Sequence, residues 1–358
     1  MKKTVAVIMV LTGLFLSQAV MGQSEATVQF LLITPGARAT GMGENFVSIA
    51  DDATATYWNT AGLAFIKERQ VSLMHTNWLP QLASDLFFDY ATYVQPIEGL
   101  GTFGVAVTYL NLGEQSITGE DDPTPLGTFG SNEFAIGTSF GTQLSENGAL
   151  GLQLKYIRSN LAPEVNNTTQ KGDGSANAFA FDIGYLQKNV VIEGLDFGVN
   201  LTNLGPKVTY IDKKQADPLP TNLRVGFSYE VLKQEFNRLK IGVEFDKLLV
   251  KRYNVIEGET EVTKSDPFYK ALYTSWTDDG FSTEMKKVIS NLGAEYLYGD
   301  MIAMRTGFHY DEIGKVRYLT FGAGLKYASL FIDAAYISPL EQGHPLEDTI
   351  QFSLAFNF

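Results

Sequence analysis

The 358-residue chain has no cysteine. That excludes a disulfide framework, a thiolate metal site and a lipid-modified N-terminal cysteine. Histidine is nearly absent too. His75, His309 and His344 lie in widely separated segments, each near a strand end or in a loop. A lone histidine in such a place reads as a polar surface residue rather than a base or a ligand. Basic charge is scarce, with 27 Lys and Arg against 40 Asp and Glu and a net charge of -13. Such a chain repels the phosphate backbone, so nucleic acid is not an expected partner. The acids cluster in segments that read as loops. Asp51-Asp52 and Glu120-Asp-Asp122 lack the alternating oxygen-ligand spacing of a calcium loop. No Gly-x-Gly run sits between a strand and a helix, where it would cradle a nucleotide phosphate. Neither catalysis nor a cofactor is therefore expected.

Long apolar runs are also missing after the N-terminus. Met1-Lys-Lys3 precedes an apolar core from Val5 to Leu16, and Val20 and Gly22 are placed for cleavage before Gln23. The core is short of the roughly 20 residues that a spanning helix needs. Residues 1–22 read as a secretory signal peptide. Its removal takes Lys2 and Lys3 with it and leaves the chain at -15.

Strand-forming residues are abundant. The chain has 34 Gly, 24 Phe and 17 Tyr, a mix that favours strands and tight turns over helical bundles. The C-terminal stretch Asp348-Thr-Ile-Gln-Phe-Ser-Leu-Ala-Phe-Asn-Phe358 puts Phe352, Leu354, Phe356 and Phe358 on one face of a strand. Gln351, Ser353, Ala355 and Asn357 fall on the other. The same polarity recurs upstream. Phe103, Val105, Val107 and Tyr109 oppose Thr102, Gly104, Ala106 and Thr108. Ile241, Val243 and Phe245 oppose Lys240, Gly242, Glu244 and Asp246. An oily face backed by small and polar residues suits a wall with lipid outside and a crowded lumen inside.

Alternation and turn signals predict fourteen strands, near 69–76, 86–95, 102–111, 132–142, 149–158, 178–187, 195–204, 222–231, 239–249, 290–298, 302–310, 318–327, 329–337 and 348–358. Most are close to the 9–11 residues of a tilted membrane-crossing strand. Connections after strands 3, 5, 7 and 9 are long, and those after even-numbered strands are short. Outer-membrane barrels sort their loops in this way. The expected fold is an all-β, 14-stranded antiparallel transmembrane β-barrel over residues 69–358. An even count puts both termini on the periplasmic side of a Gram-negative outer membrane.

Residues 23–68 do not alternate and are expected to form a hatch, or plug, inside the lumen. Gly41 and Gly43, flanking Met42 and following Arg38, permit close backbone approach or positive φ. Asp51 and Asp52 are placed to cap a short helix over Ala53 to Trp58. Asn59 and Gly62 suit the turn out of it.

The segment Gly36-Ala-Arg-Ala-Thr-Gly-Met-Gly43, with Ala50-Asp-Asp-Ala-Thr-Ala55 and Trp58-Asn-Thr-Ala-Gly-Leu63, resembles the N-terminal hatch of the FadL-like fourteen-strand barrels. Within that superfamily the chain is most similar to the PorV/PorQ family of the type IX secretion system of Bacteroidetes. The supporting residues are Phe30-Leu-Leu-Ile-Thr-Pro-Gly-Ala-Arg-Ala39, Leu219-Pro-Thr-Asn-Leu-Arg-Val-Gly226, Leu292-Gly-Ala-Glu-Tyr-Leu-Tyr298, Phe321-Gly-Ala-Gly-Leu-Lys-Tyr327 and the tail from His344. The resemblance covers essentially the whole mature chain.

The resemblance implies a non-enzymatic outer-membrane component. It would bind secreted cargo bearing a C-terminal signal domain as the cargo leaves a giant translocon barrel of the SprA/Sov kind. It would then pass the cargo to a surface attachment complex with a PorU-like sortase. Such a role needs an extracellular surface that grips cargo and a flank that docks on another barrel. Two loops suit it: Gly113 to Ser131, with Glu120, Asp121 and Asp122, and Lys251 to Ile289, with Tyr253, Phe268, Tyr269, Tyr273, Trp276, Phe281 and a helix expected from Thr283 to Ile289. Aromatics in a long loop are common anchors of protein recognition. They could equally pack the loop down over the barrel mouth. The alternative function is FadL-type passive transport of hydrophobic small molecules across the outer membrane, which needs an apolar pocket beside the hatch and an opening in the wall.

Overall fold

A computed structural model describes residues 26–118, 124–162, 174–210, 216–257 and 260–358. The expected signal peptide and Glu120, Asp121 and Asp122 lie outside these residues. The described residues form a closed antiparallel barrel of fourteen strands. Its first nine strands are β1 (Gln70–Asn77), β2 (Phe87–Ile97), β3 (Gly101–Thr118), β4 (Pro125–Gln143), β5 (Gly148–Asn160), β6 (Ser175–Gln187), β7 (Leu195–Leu204), β8 (Asn222–Lys233) and β9 (Asn237–Leu248). A separate ribbon follows, β10 (Arg252–Glu257) with β11 (Thr260–Ser265). The barrel then resumes with β12 (Ile289–Tyr298), β13 (Ile302–Asp311), β14 (Val316–Tyr327), β15 (Leu330–Pro339) and β16 (Ile350–Asn357). β12 pairs with β9 across the excursion, and β16 closes on β1 with Leu354 opposite Leu73. Closure leaves no unpaired edge along the seam, which hydrocarbon would penalise heavily.

The alternation does what the strand period requires. On β16, Phe352 is 57 % exposed and Leu354 46 %, whereas Gln351 between β-face neighbours is 1 % exposed and faces inward. Outward aromatics meet tilted or edge-on across neighbouring strands, Phe87 with Tyr109 at 5.9 Å, then Phe134 with Tyr156 and Tyr156 with Phe179. They form a partial girdle at the rim of long connections.

Two strands run further than their alternation predicts. β3 and β4 continue past their neighbours as a two-stranded arm, because Gly113 at φ 74° allows a bulge after Asn111 and pairing resumes at Glu114 and Gly130. The β10–β11 ribbon and a helix α3 (Phe268–Thr274) were likewise hidden in the longest connection, and the helix expected near 283–289 forms as α4 over Phe281–Lys286.

Residues 26–67 run down the inside of the barrel. They contain a 3-10 turn (Gln29–Leu32), α1 (Ala37–Gly41), α2 (Ala55–Trp58) and a second 3-10 stretch (Thr60–Phe65). Trp58, Phe46, Met42 and Leu63 are fully buried. Towards the rim of long connections the lumen is apolar rather than small and polar. Phe30, Leu31 and Ile33 pack there with Phe88, Leu110 and Ile157, and with Val208 and Leu219, which lie inward from the connection after β7. The start of β1 and the end of β16 share the rim of short turns, where the Phe358 N–H donates to the Arg69 carbonyl. Ala26 does not share that rim. It packs with Leu248 and Val250 at the far end of β9, and the Thr27 N–H donates to the Pro218 carbonyl at 3.0 Å. Ala26 thus lies at the rim opposite the end of β16, because the plug traverses the lumen before the first strand begins.

Candidate functional site

The plug is held by ion pairs, backbone wedges and stacked rings. Arg38 leaves α1 and forks onto Glu295 of β12, with Nε and Nη2 each 2.9 Å from a carboxylate oxygen. Its Nη1 reaches Asp51 at 2.6 Å and Asp52 at 3.0 Å. Glu295 also accepts from Arg305 of β13 at 2.7 Å, and Arg305 continues to Asp333 of β15 at 2.6 Å. Opposite charges therefore alternate from plug to wall, which compensates the burial of each. Higher up, Glu244 of β9 accepts from the Phe46 and Val47 backbone N–H groups at 2.7 Å each. Arg224 of β8 stacks over Tyr57 and Trp58, 4.7 and 4.8 Å from the rings.

Small residues on the wall make room for this backbone. A Cβ on Gly293 would lie 2.3 Å from the Met42 carbonyl oxygen, and one on Gly307 would lie 2.0 Å from the Gly43 nitrogen. Gly43 itself has φ 66° and abuts Leu292 and Phe308 backbone atoms. Gly41 lies against Gly322, and Gly62 against the Ala50 carbonyl. The Trp58 indole N–H donates to the Pro35 carbonyl, and the Asn59 amide bridges the Val47 and Tyr185 carbonyls. Of the residues singled out in the plug, Arg38, Gly41, Met42, Gly43, Trp58 and Asn59 touch the wall, whereas Asp51, Asp52 and Gly62 make contacts within the plug itself. One detail differs. Asp52 accepts from the Thr54 N–H and hydroxyl before α2, whereas Asp51 makes no cap and turns to Arg38.

The wall partners Glu244, Glu295, Arg224 and Arg305 were not singled out in the sequence. Their signal was there: each is a charge on the small-residue face of its strand. His309 is another correction, since it lies inward, buried and stacked 4.4 Å from Tyr318. One Gly-x-Ser-x-Gly spacing exists, Gly137 to Gly141. It sits mid-strand in β4, and the Ser139 hydroxyl accepts from Gln153, so it forms no nucleophile elbow.

The longest connection folds partly over the wall's outer face. Phe268 packs edge-on against Phe181 of β6 at 6.2 Å and against Tyr269 at 5.7 Å. The Lys207 ammonium donates to the Ser265 carbonyl at 2.6 Å, and Arg252 pairs with Asp217, which ties this connection to 205–221. Lys247 lies under Trp276 and pairs with Glu284 at 2.6 Å. Tyr269 is 64 % exposed, Tyr273 63 % and Phe281 80 %, and Trp276 is exposed as well. Display and packing down therefore coexist: Phe268 anchors, and the others face out. Asp278, Asp279 and Glu284 converge, and the Lys287 ammonium lies among them. Burial pushes the Asp278 carboxyl up to about 6, helped by its hydrogen bond with Glu284. Burial pushes Glu284 the same way, but hydrogen bonds from Asp278, Lys247 and Lys287 outweigh it and hold Glu284 at about 2.

The model of the family described as type IX secretion system protein PorV matches residues 18–254. No curated protein sequence matches. Among solved structures, the Ralstonia pickettii toluene transporter TbuX is similar at a TM-score of 0.55 and 14% identity, with 90% of this chain and 97% of that one covered. A Pseudomonas aeruginosa FadL homologue is similar at 0.53 and 14% identity, covering 91% and 98%. The Pseudomonas putida toluene transporter TodX is similar at 0.52 and 13% identity, covering 90% and 98%. At such identity the likeness is one of fold.

Proposed function

The chain belongs to the family of the type IX secretion system protein PorV, and from that premise we propose that it is an outer-membrane binding protein for secreted cargo. In this reading residues 1–22 direct export, residues 23–68 are the plug and the long connections face the cell exterior. Cargo carrying a C-terminal signal domain leaves a translocon barrel of the SprA/Sov kind, is gripped at the outer rim and is handed to an attachment complex with a PorU-like sortase. The observation that carries the proposal is a plugged lumen beside a displayed rim. The plug, with Val208 and Leu219, packs much of the interior, while Tyr269, Tyr273, Trp276 and Phe281 stand out on a tethered loop. A protein built in this way acts through its surface.

Transport of hydrophobic small molecules is the competing reading, drawn from the toluene transporters among the fold neighbours. It needs an open apolar pocket beside the plug, and Phe30, Leu31, Val208 and Leu219 pack together there. Deletion of the gene separates the two. The proposal expects signal-bearing proteins to vanish from the cell surface and medium, and a very large barrel to co-purify with the tagged protein. An unchanged set of secreted proteins together with failed growth on a hydrophobic substrate overturns it.

A further inference from the structure

A cavity of about 160 Å³ lies between the plug and the rim of long connections. Its apolar side includes Leu32, Ile33, Trp78, Leu248 and Leu346. Its polar side carries three carboxylates, Glu44, Asp246 and Asp311, against one guanidinium, Arg224, with His309 between.

The polar groups are unequally served. The Glu44 Oε1 accepts from the Thr34 hydroxyl at 2.8 Å and from the Tyr318 hydroxyl at 2.6 Å. The Asp311 Oδ1 accepts from the Gly314 N–H at 2.8 Å. The Asp246 Oδ2 accepts from the Asn291 amide at 2.7 Å, and its Oδ1 is ion-paired 3.4 Å from the Arg224 Nε, beside the Glu244 carboxyl. Arg224 is shared with Glu244 and stacked on Tyr57 and Trp58, so it does not neutralise the cavity alone. The His309 Nδ1 lacks a hydrogen bond, 3.7 Å from the Glu44 Oε2. Asp246 and His309 are each 8 % exposed.

We propose that this cavity binds a small amphipathic organic cation, a primary ammonium on a flat apolar body. Excess carboxylate in a site walled by protein attracts positive charge strongly. A bare metal ion does not fit, because the carboxylates of Glu44, Asp246 and Asp311 do not converge; among the described residues only Asp278, Asp279 and Glu284 do. The volume suits a ring, since a cavity of about 150 Å³ accepts benzene. The ammonium sits at Asp246 and Asp311, and the ring lies along Trp78 and Leu346. The inference is independent of the secretion reading.

The test is titration calorimetry of the full chain in detergent with phenethylamine at neutral pH, with ethylbenzene as the uncharged isostere. The expected result is saturable binding of phenethylamine, at least tenfold weaker binding of ethylbenzene, and about tenfold loss of phenethylamine affinity in Asp246→Asn or Asp311→Asn. Heat-modifiable migration on gels checks that each variant is a closed barrel. If Asp246→Asn disturbs Arg224 and fails that check, Asp311→Asn carries the comparison. No binding by wild type, equal affinity for the two probes, or unchanged affinity in the folded variants overturns the proposal.

Discussion

Gly62 shows how little room a single position has. A methyl group there would meet the Ala50 carbonyl oxygen at 2.0 Å, which backbone must move to relieve. Gly62→Ala is expected to cost about 1–3 kcal/mol by overpacking, read as a lowered urea midpoint of the refolded barrel. Gly130→Ala, where a Cβ meets nothing within 4 Å, should stay within about 0.5 kcal/mol. Arg38→Ala has a different cause. It leaves Glu295, only 3 % exposed, with Arg305 alone, and strands Asp51 and Asp52. Removing one partner of a buried ion network costs about 3–5 kcal/mol, discounted here because Arg38 and Asp51 are partly exposed, so a loss of about 2 kcal/mol in the same assay is expected. The importance of Arg38, Gly43 and Asn59 was legible from residue type and local spacing. Their partners Glu295, Phe308 and Tyr185 were not, because each lies more than 100 positions away.

Among elements, β16 is the one most completely legible in sequence. Its alternation continues to the last residue, and the structure places Leu354 outward between Leu73 and Ile332. Leu354→Arg puts a charge on the lipid face and should destabilise the barrel in bilayers by about 2–4 kcal/mol, measured by denaturant unfolding. The inward Ser353, which accepts from the Ala37 N–H, has no such relation to lipid. The longest connection gives a pH prediction instead. Glu284 is depressed, so its contribution is complete above the ordinary glutamate value of 4.5 and is lost as pH falls towards about 2. Asp278 is raised, so its contribution is complete below 3.8 and is lost as pH rises through about 6. Docking of α4 should therefore be tightest near pH 4 and loosen on either side. Trp276 emission should report a transition near pH 6 that Asp278→Asn abolishes and Trp276→Phe silences. The β10–β11 ribbon and α3 escaped sequence reading because short elements give too few periods to rise above their neighbours.

For the whole molecule, filling the lumen is the governing fact. Deleting residues 26–67 removes the plug partners of Glu244 and Glu295 and uncovers the glycines of the inner wall. A purified barrel so truncated should pass ions steadily in a planar bilayer, where the full chain is nearly silent. Equal conductance of the two would mean that the plug does not seal the barrel. The deletion also predicts a lower unfolding temperature, because Glu295 loses Arg38 and Glu244 loses its two backbone donors while the lipid face is unchanged.

The barrel, its strand number and the sorting of its connections were set by sequence alone, because a period of two and the length of a membrane-crossing strand are local properties. The plug's existence was legible too, as a stretch that breaks the period ahead of the first strand. What only the tertiary structure decided is where things meet: that Arg38 finds Glu295, that Val208 and Leu219 turn inward, that Ala26 and Phe358 lie at opposite rims, and that Asp246 and Asp311 face one cavity. Those contacts join residues far apart in the chain, and closing a cylinder selects them by distance and packing that no local pattern encodes.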